Sequence, residues 1–140
     1  MSDRPRFVLD TNVLVDAAAF RVSFGRKAFD LVQKQGQMVA SVETLAELID
    51  VLGRPRLQRF IAREASDRFL HQLQERLLIV RPVLRIQACR DPKDDKFLEV
   101  ASEATAGTII TRDKDLLVLD PFRGIEIIEP ETFVRRSGSP

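Results

Sequence analysis

Residues 7–12 have the sequence Phe-Val-Leu-Asp-Thr-Asn, a short apolar run that ends in a carboxylate. Residues 108–113, Thr-Ile-Ile-Thr-Arg-Asp, repeat this arrangement far along the chain. An apolar run too short for a helix is typical of a strand buried on both faces. In an open α/β sheet, the carboxyl ends of such strands border the ligand crevice. We therefore expect Asp10 and Asp113 to lie close together in the fold.

The rest of the sequence alternates between strand-like and helix-like patterns. Further strands are predicted at 38–40, 78–80 and 125–128, and a short turn at 116–119. Helices are predicted at 12–19, 23–36, 41–53, 57–62, 66–76 and 91–107. This alternation indicates an α/β fold, a three-layer sandwich with a central, mostly parallel sheet flanked by helices.

Composition limits the class of protein. The chain has 140 residues, of which 44% are hydrophobic and 31% charged, as in one soluble globular domain. Its apolar stretches are too short to span a bilayer, so no membrane association is expected. The single cysteine, Cys89, cannot form an internal disulfide and is interpreted as a small hydrophobe, which fits a cytoplasmic location. With only His71 besides it, a zinc site or a histidine-based triad is disfavoured.

Charge is balanced overall but unevenly distributed. The net charge is +1, yet 17 of the 22 basic residues are arginine, which suits bidentate phosphate contacts. Acids, by contrast, gather at predicted strand and helix ends. A neutral total can therefore conceal an acidic pocket surrounded by basic surface.

Each acidic group has a plain structural alternative. Asp10 could cap a helix, Asp94 and Asp95 could favour a helix dipole, and Asp113 could belong to a polar turn. However, all of them would be delivered to one edge of a parallel sheet, where close carboxylates repel unless a cation neutralises them. Carboxylate oxygens without Cys or His ligands select Mg²⁺ or Mn²⁺. The pattern therefore favours a divalent-metal site.

Four segments together resemble the PIN-domain ribonucleases. They are Phe-Val-Leu-Asp-Thr-Asn-Val-Leu-Val at 7–15, Ser-Val-Glu-Thr-Leu-Ala-Glu-Leu at 41–48, Asp-Pro-Lys-Asp-Asp-Lys-Phe-Leu at 91–98 and Ile-Ile-Thr-Arg-Asp-Lys-Asp-Leu-Leu at 109–117. The similarity is greatest to the branch described as toxin components of toxin–antitoxin pairs. It implies a single PIN-like nuclease domain over residues 1–136, and residues 137–140 are expected to form a disordered tail.

The resemblance also implies roles for individual residues. It makes four acids catalytic and metal-binding, with Asp95 as a residue that shares or replaces the third position: Asp10, Glu47, Asp94 and Asp113. It makes Asn12 and Thr111 supporting residues, together with Thr11, and places Asp115 in an outer shell. Periodicity alone would instead make Glu47 a solvated surface residue, because it lies opposite the apolar stripe of its helix.

The activity that the resemblance implies is Mg²⁺- or Mn²⁺-dependent hydrolysis of RNA. Contacts to the RNA would come from Arg54, Arg56 and Arg112, although the arginines near residue 54 could equally form a solvated helical face. The expected partners are RNA, a cognate antitoxin protein and further copies of the chain.

Two other functions stay open at this point. One is a catalytically silent PIN-like module that binds RNA or protein. The other is a metal-dependent phosphatase. Phosphatases of the haloacid-dehalogenase type require a second acid two residues after the first, but this chain has Asn12 two residues after Asp10.

Overall fold

The structure is a computed structural model, and it describes residues 4–137. Its α-helices and β-strands follow one another in this order: β1 Arg6–Leu9, α1 Thr11–Ala19, α2 Phe24–Gln35, β2 Gln37–Ala40, α3 Val42–Leu52, α4 Arg63–Arg76, β3 Leu78–Ile79, α5 Asp95–Glu103, β4 Thr108–Ile110, α6 Lys114–Leu117, β5 Glu126–Ile128 and α7 Pro130–Arg136. The predicted α/β class is confirmed.

All five strands are parallel and lie in the order β3-β2-β1-β4-β5. The chain first builds outward from β1 to β3 and then returns to place β4 on the other side of β1. The order therefore reverses between β1 and β4. In sheets of this kind, the carboxyl edge at such a reversal forms a ready-made crevice.

Side chains of the central strands are buried on both faces of the sheet. Phe7 and Leu9 of β1 pack into one apolar cluster with helices α1 to α4 and α7, whereas Val8 packs into the other with α5 and α6. Ile109 and Ile110 of β4 divide between the same two clusters. This alternation explains why these strands are continuously apolar, as predicted.

Serine caps start two helices where the sequence predicted them. The Ser23 hydroxyl accepts a hydrogen bond from the Arg26 amide at the start of α2, and Ser41 forms a capping box with Thr44 at the start of α3. Because α3 begins immediately after β2, its first turns lie at the carboxyl edge of the sheet.

Several regions differ from the sequence prediction. Helix α6 at Lys114–Leu117 replaces the turn predicted at 116–119, and α4 begins at Arg63 rather than at residue 66. Residues 57–62 form only a 3₁₀ turn at Leu57–Arg59 in place of a helix; only Ile61 among them is buried, so no apolar face anchors a longer element. The helix predicted to run to Gly107 ends at Glu103, where Thr105 adopts a left-handed conformation with φ 53°. Helix α7 was not predicted; its proline at the first position is a common helix start.

The last described residue follows helix α7. Ser137 closes α7, and the remainder of the predicted tail, 138–140, lies outside the described residues. Within the part of the chain that the structure describes, no helix has both the length and the apolar character that crossing a bilayer requires.

Candidate metal centre

Asp10 follows β1 directly, and its carboxylate is almost fully buried. It occupies the cap position of α1, yet its side chain makes no capping hydrogen bond. Instead its Oδ2 accepts a hydrogen bond from the Thr111 hydroxyl, at 2.6 Å. Because both side chains are buried, at 5% and 0% exposure, this contact fixes the Asp10 carboxylate against β4.

Thr111 also connects Asp10 to Asp113. The main-chain N–H of Asp113 donates to the Thr111 hydroxyl oxygen at 2.9 Å, and that hydroxyl donates in turn to Asp10. Asp113 is itself the cap of α6, since its Oδ1 accepts from the amide of Asp115 at 2.9 Å. One hydroxyl group thus joins the ends of two neighbouring strands.

Asp94 and Asp95 are adjacent in sequence but face different surroundings. Asp95 is buried, and its Oδ1 accepts hydrogen bonds from the main-chain amides of Ala88 and Cys89, at 3.1 and 2.8 Å. Burial opposes ionisation of Asp95, but these amides outweigh it and lower its pKa. Asp95 therefore anchors the loop that precedes α5.

Asp94 lies instead among the other acids. One carboxylate oxygen each from Asp94, Asp113 and Asp115 can be chosen so that all three lie within 4.8 Å of one another. Desolvation, a hydrogen bond with Asp113 and repulsion by Asp113 and Asp10 raise the pKa of Asp94 to about 7. Asp94 thus lies close to Asp113 and Asp10, whereas the Asp95 carboxylate binds the loop amides.

Asp10 responds to the same crowding. Burial raises the pKa of Asp10 above its ordinary value, and the charges of Asp113 and Glu47 raise it further, while the Thr111 hydroxyl opposes them. Carboxyl groups from β1, α3, the start of α5 and the end of β4 therefore repel one another at a single edge. A divalent cation would relieve this repulsion.

Glu47 belongs to this edge, contrary to its position on the helical wheel. Its side chain is 31% exposed, its Oε1 accepts a hydrogen bond from the Thr11 hydroxyl, and its Oε2 lies 2.9 Å from the Lys96 ammonium. The wheel misplaces it because α3 contacts α1 and α5 as well as strand β2. Glu43, one turn earlier, is exposed.

The supporting residues divide into two groups. Thr111 and Asp115 lie in the pocket, and Asp115 forms an ion pair with Arg90, whose Nε is 3.0 Å from Asp115 Oδ1. Asn12 is exposed in the first turn of α1.

Burial and the neighbouring Asp95 raise the pKa of the Cys89 thiol to about 12. The thiol therefore stays protonated, which agrees with its interpretation as a small hydrophobe.

The predicted RNA-binding arginines lie in different places. Arg112 precedes Asp113 and pairs with Glu131 at 3.0 Å and with Asp16 at 3.4 Å. Arg54 and Arg56 are exposed beyond the end of α3, whose last residue, Leu52, lies about 7 Å along the helix axis from Glu47 at 1.5 Å per residue. Arg54 also pairs with Asp50. Only Arg112 adjoins the acidic pocket directly.

Sequence reasoning missed two residues at the pocket, Lys96 and Arg90. The position of Lys96 could have indicated its role. A cation in the first turn of a helix is disfavoured by the helix dipole, so an acidic partner on another element is expected. The position of Arg90 could not have been predicted, since it lies in a loop whose course no local sequence pattern indicates.

Comparison with known proteins agrees with this geometry. A family model described as PIN domain matches residues 6–115, which contain every acid of the pocket. The chain belongs to the PIN-domain family. A second comparison finds 31% identity over 116 residues to the uncharacterized protein MJ1680 of Methanocaldococcus jannaschii, covering 81% of this chain and 74% of that relative.

Solved structures share the fold of this PIN domain. The crystal structure of PAE2754 from Pyrobaculum aerophilum superposes with a TM-score of 0.62 at 17% identity, covering 94% of this chain and 88% of that one. VapBC2 from Rickettsia felis, solved bound to a DNA fragment from its promoter, gives a TM-score of 0.59 at 17% identity and covers 89% and 98% of the two chains. At this identity the likeness establishes the PIN fold alone.

Proposed function

We propose that this PIN domain is a ribonuclease that hydrolyses phosphodiester bonds with Mg²⁺ or Mn²⁺. The observation that carries the proposal is the convergence of Asp10, Glu47, Asp94 and Asp113 at one edge of the sheet, where burial and neighbouring carboxylates raise the pKa of Asp10 and Asp94 and where Glu47 pairs with Lys96. Clustered carboxylates repel one another in the absence of a cation, and the same cluster can bind a divalent cation for catalysis.

The donors fit a hard divalent cation. Asp94 and Asp113 offer carboxylate oxygens within 4.8 Å of each other, and Asp10 lies close enough to raise the pKa of Asp94, so these three acids would hold the ion. We choose Asp94 over Asp95 because the Asp95 carboxylate is committed to the loop amides. A metal bound there would polarise the scissile phosphate and lower the pKa of an attacking water.

The protein groups have separate tasks in this proposal. Thr111 holds Asp10 by its 2.6 Å hydrogen bond, and Glu47 would orient the attacking water. Arg112 lies at the rim, and phosphate contact there would compete with its pairing to Glu131. Arg54 and Arg56 would contact RNA that extends along α3.

The decisive experiment is incubation with a panel of RNAs, with and without Mg²⁺ or Mn²⁺. We expect the wild type to cleave at least one RNA only when metal is present. Asp10→Asn should abolish this cleavage while leaving the fold intact, and Glu43→Gln, a matched loss of one exposed carboxylate on α3, should retain it. Undiminished cleavage by Asp10→Asn would refute the assignment.

A calorimetric titration with Mn²⁺ separates the enzyme from a docking module with the same fold. A module that only binds RNA or protein needs no cation, whereas the proposed nuclease binds Mn²⁺ through its acids. Absence of Mn²⁺ binding would therefore favour the silent module.

The proposal extends to partners. As the toxin of a toxin–antitoxin pair, the chain would be blocked by an antitoxin covering the acidic pocket, and it would act in the cytoplasm. Phe20 and Phe60 are 50% and 62% exposed with ring centroids 6.5 Å apart, which offers an apolar surface for a second copy. Light scattering on the wild type and on Phe60→Ser tests this self-association.

A further inference from the structure

Lys96 lies beside the acidic pocket with its side chain only 12% exposed. Its ammonium is 2.9 Å from Glu47 Oε2 and also donates a hydrogen bond to the main-chain oxygen of Lys93. Removing an ammonium group from water is costly unless another charge and hydrogen bonds compensate it. The contact with Glu47 supplies that compensation.

Helix stability does not explain a lysine at this position. Lys96 is the second residue of α5, where the partial positive charge of the helix terminus repels a cation. The ion pair instead links α5 to α3, two helices that approach each other at this edge. Its effect falls on the orientation and charge of Glu47.

The two sides of the acidic pocket are therefore unlike. On one side, carboxylate oxygens of Asp94, Asp113 and Asp115 approach within 4.8 Å of one another, and among residues 4–137 only the highly exposed Arg90 forms an ion pair there, with Asp115. On the other side, both oxygens of Glu47 already have partners, the Thr11 hydroxyl and the Lys96 ammonium.

Charge counting shows what this asymmetry does. The four acids Asp10, Glu47, Asp94 and Asp113 carry −4 when ionised, and Lys96 reduces this to −3. Without Lys96, two divalent ions would balance the four acids; with Lys96 present, one ion leaves −1 and a second would make the site positive at +1. A second ion would also have to displace the ammonium from Glu47.

We propose that Lys96 is a positioning residue that fixes Glu47 and takes the place of a second divalent cation, so that this pocket binds one divalent ion. The inference rests on the proposed metal-dependent function, because it assumes that the remaining acids hold an ion. To that function, the inference adds the number of divalent ions that bind and the residue, Lys96, that determines this number.

The test is calorimetric titration of the full chain with Mn²⁺ alone, without RNA. The wild type should bind one Mn²⁺ per chain. Lys96→Met frees Glu47 and should bind two, while Lys96→Arg keeps the charge and should bind one. Lys93→Met is the matched control, since it removes an exposed ammonium three residues away and should also bind one.

The outcomes distinguish this inference from the function on which it rests. A wild type that binds two Mn²⁺ overturns the inference and leaves the nuclease proposal standing, and this result does not depend on whether a variant folds. Lys96→Met that binds one Mn²⁺ with wild-type affinity also overturns it; if that variant also loses RNA affinity, Lys96 contacts the substrate instead. A wild type that binds no Mn²⁺ refutes the proposed function itself.

Discussion

The Thr111 hydroxyl donates to Asp10 Oδ2 across 101 residues of sequence, at 2.6 Å and out of contact with solvent. The contact spans β1 and β4, the two strands between which the strand order reverses. The hydrogen bond therefore determines the orientation of Asp10 relative to Asp113.

Replacing Thr111 with valine should damage the pocket and the fold together. The change leaves the buried Asp10 carboxylate and the Asp113 amide without their shared partner, at a cost of about 1–3 kcal/mol in the free energy of unfolding. Urea denaturation and Mn²⁺ titration measure both effects. Thr111→Ser keeps the hydroxyl and should stay near wild type; equal losses in the serine and valine variants would contradict the assigned role.

Alanine at Asp94 and at Asp95 should give opposite results. Asp95→Ala leaves the Ala88 and Cys89 amides without an acceptor and should lower stability by about 2 kcal/mol. Asp94→Ala removes a repelled carboxyl group, so its stability should equal or exceed that of the wild type while Mn²⁺ affinity falls. Thermal unfolding and calorimetry on the pair test this, and loss of Mn²⁺ binding only in Asp95→Ala would reverse the assignment.

Mn²⁺ affinity should depend on pH around neutrality. The pKa of Asp94 is raised to about 7, so below this pH the metal-free carboxyl is protonated and an incoming ion must displace the proton. Affinity should fall as pH decreases from 7 toward 5 and level off above 7. Binding heats in buffers of different ionisation enthalpy report the released proton, and a pH-independent affinity would count against Asp94 as a ligand.

The same shift predicts how the metal-free fold responds to pH. The pKa of Asp94 is higher in the folded chain than its ordinary value of 3.8, so its protonated form favours folding. The metal-free protein should lose stability as pH rises from about 4 through 7. Asp94→Asn should remove that part of the dependence, and identical pH profiles for the two proteins would contradict it.

RNA binding should weaken when the arginines beyond α3 are removed. Arg54→Ala with Arg56→Ala should reduce affinity and make its dependence on salt less steep, because fewer phosphates are neutralised. Filter binding at several salt concentrations measures the slope, with the exposed Arg135→Ala on α7 as a control. An unchanged slope in the double variant would exclude these arginines from the interface.

Local sequence patterns predicted the strands, the caps and the meeting of Asp10 with Asp113, because strand burial and parallel topology determine those features. They could not separate Asp94 from Asp95, since the deciding amides of Ala88 and Cys89 come from a loop with no local signature. Glu47 was assigned only through resemblance, because a helical wheel describes one buried face whereas α3 has two. Helix α7 went unpredicted because it is a short element after the last strand.

The central claim is that acids from distant parts of the chain share one divalent ion. Anomalous diffraction from crystals soaked in Mn²⁺ tests it most directly. We predict a single peak bonded to carboxylate oxygens of Asp10, Asp94 and Asp113, with the Lys96–Glu47 ion pair intact. A peak remote from these carboxylates, or no peak at saturating Mn²⁺, would contradict the account.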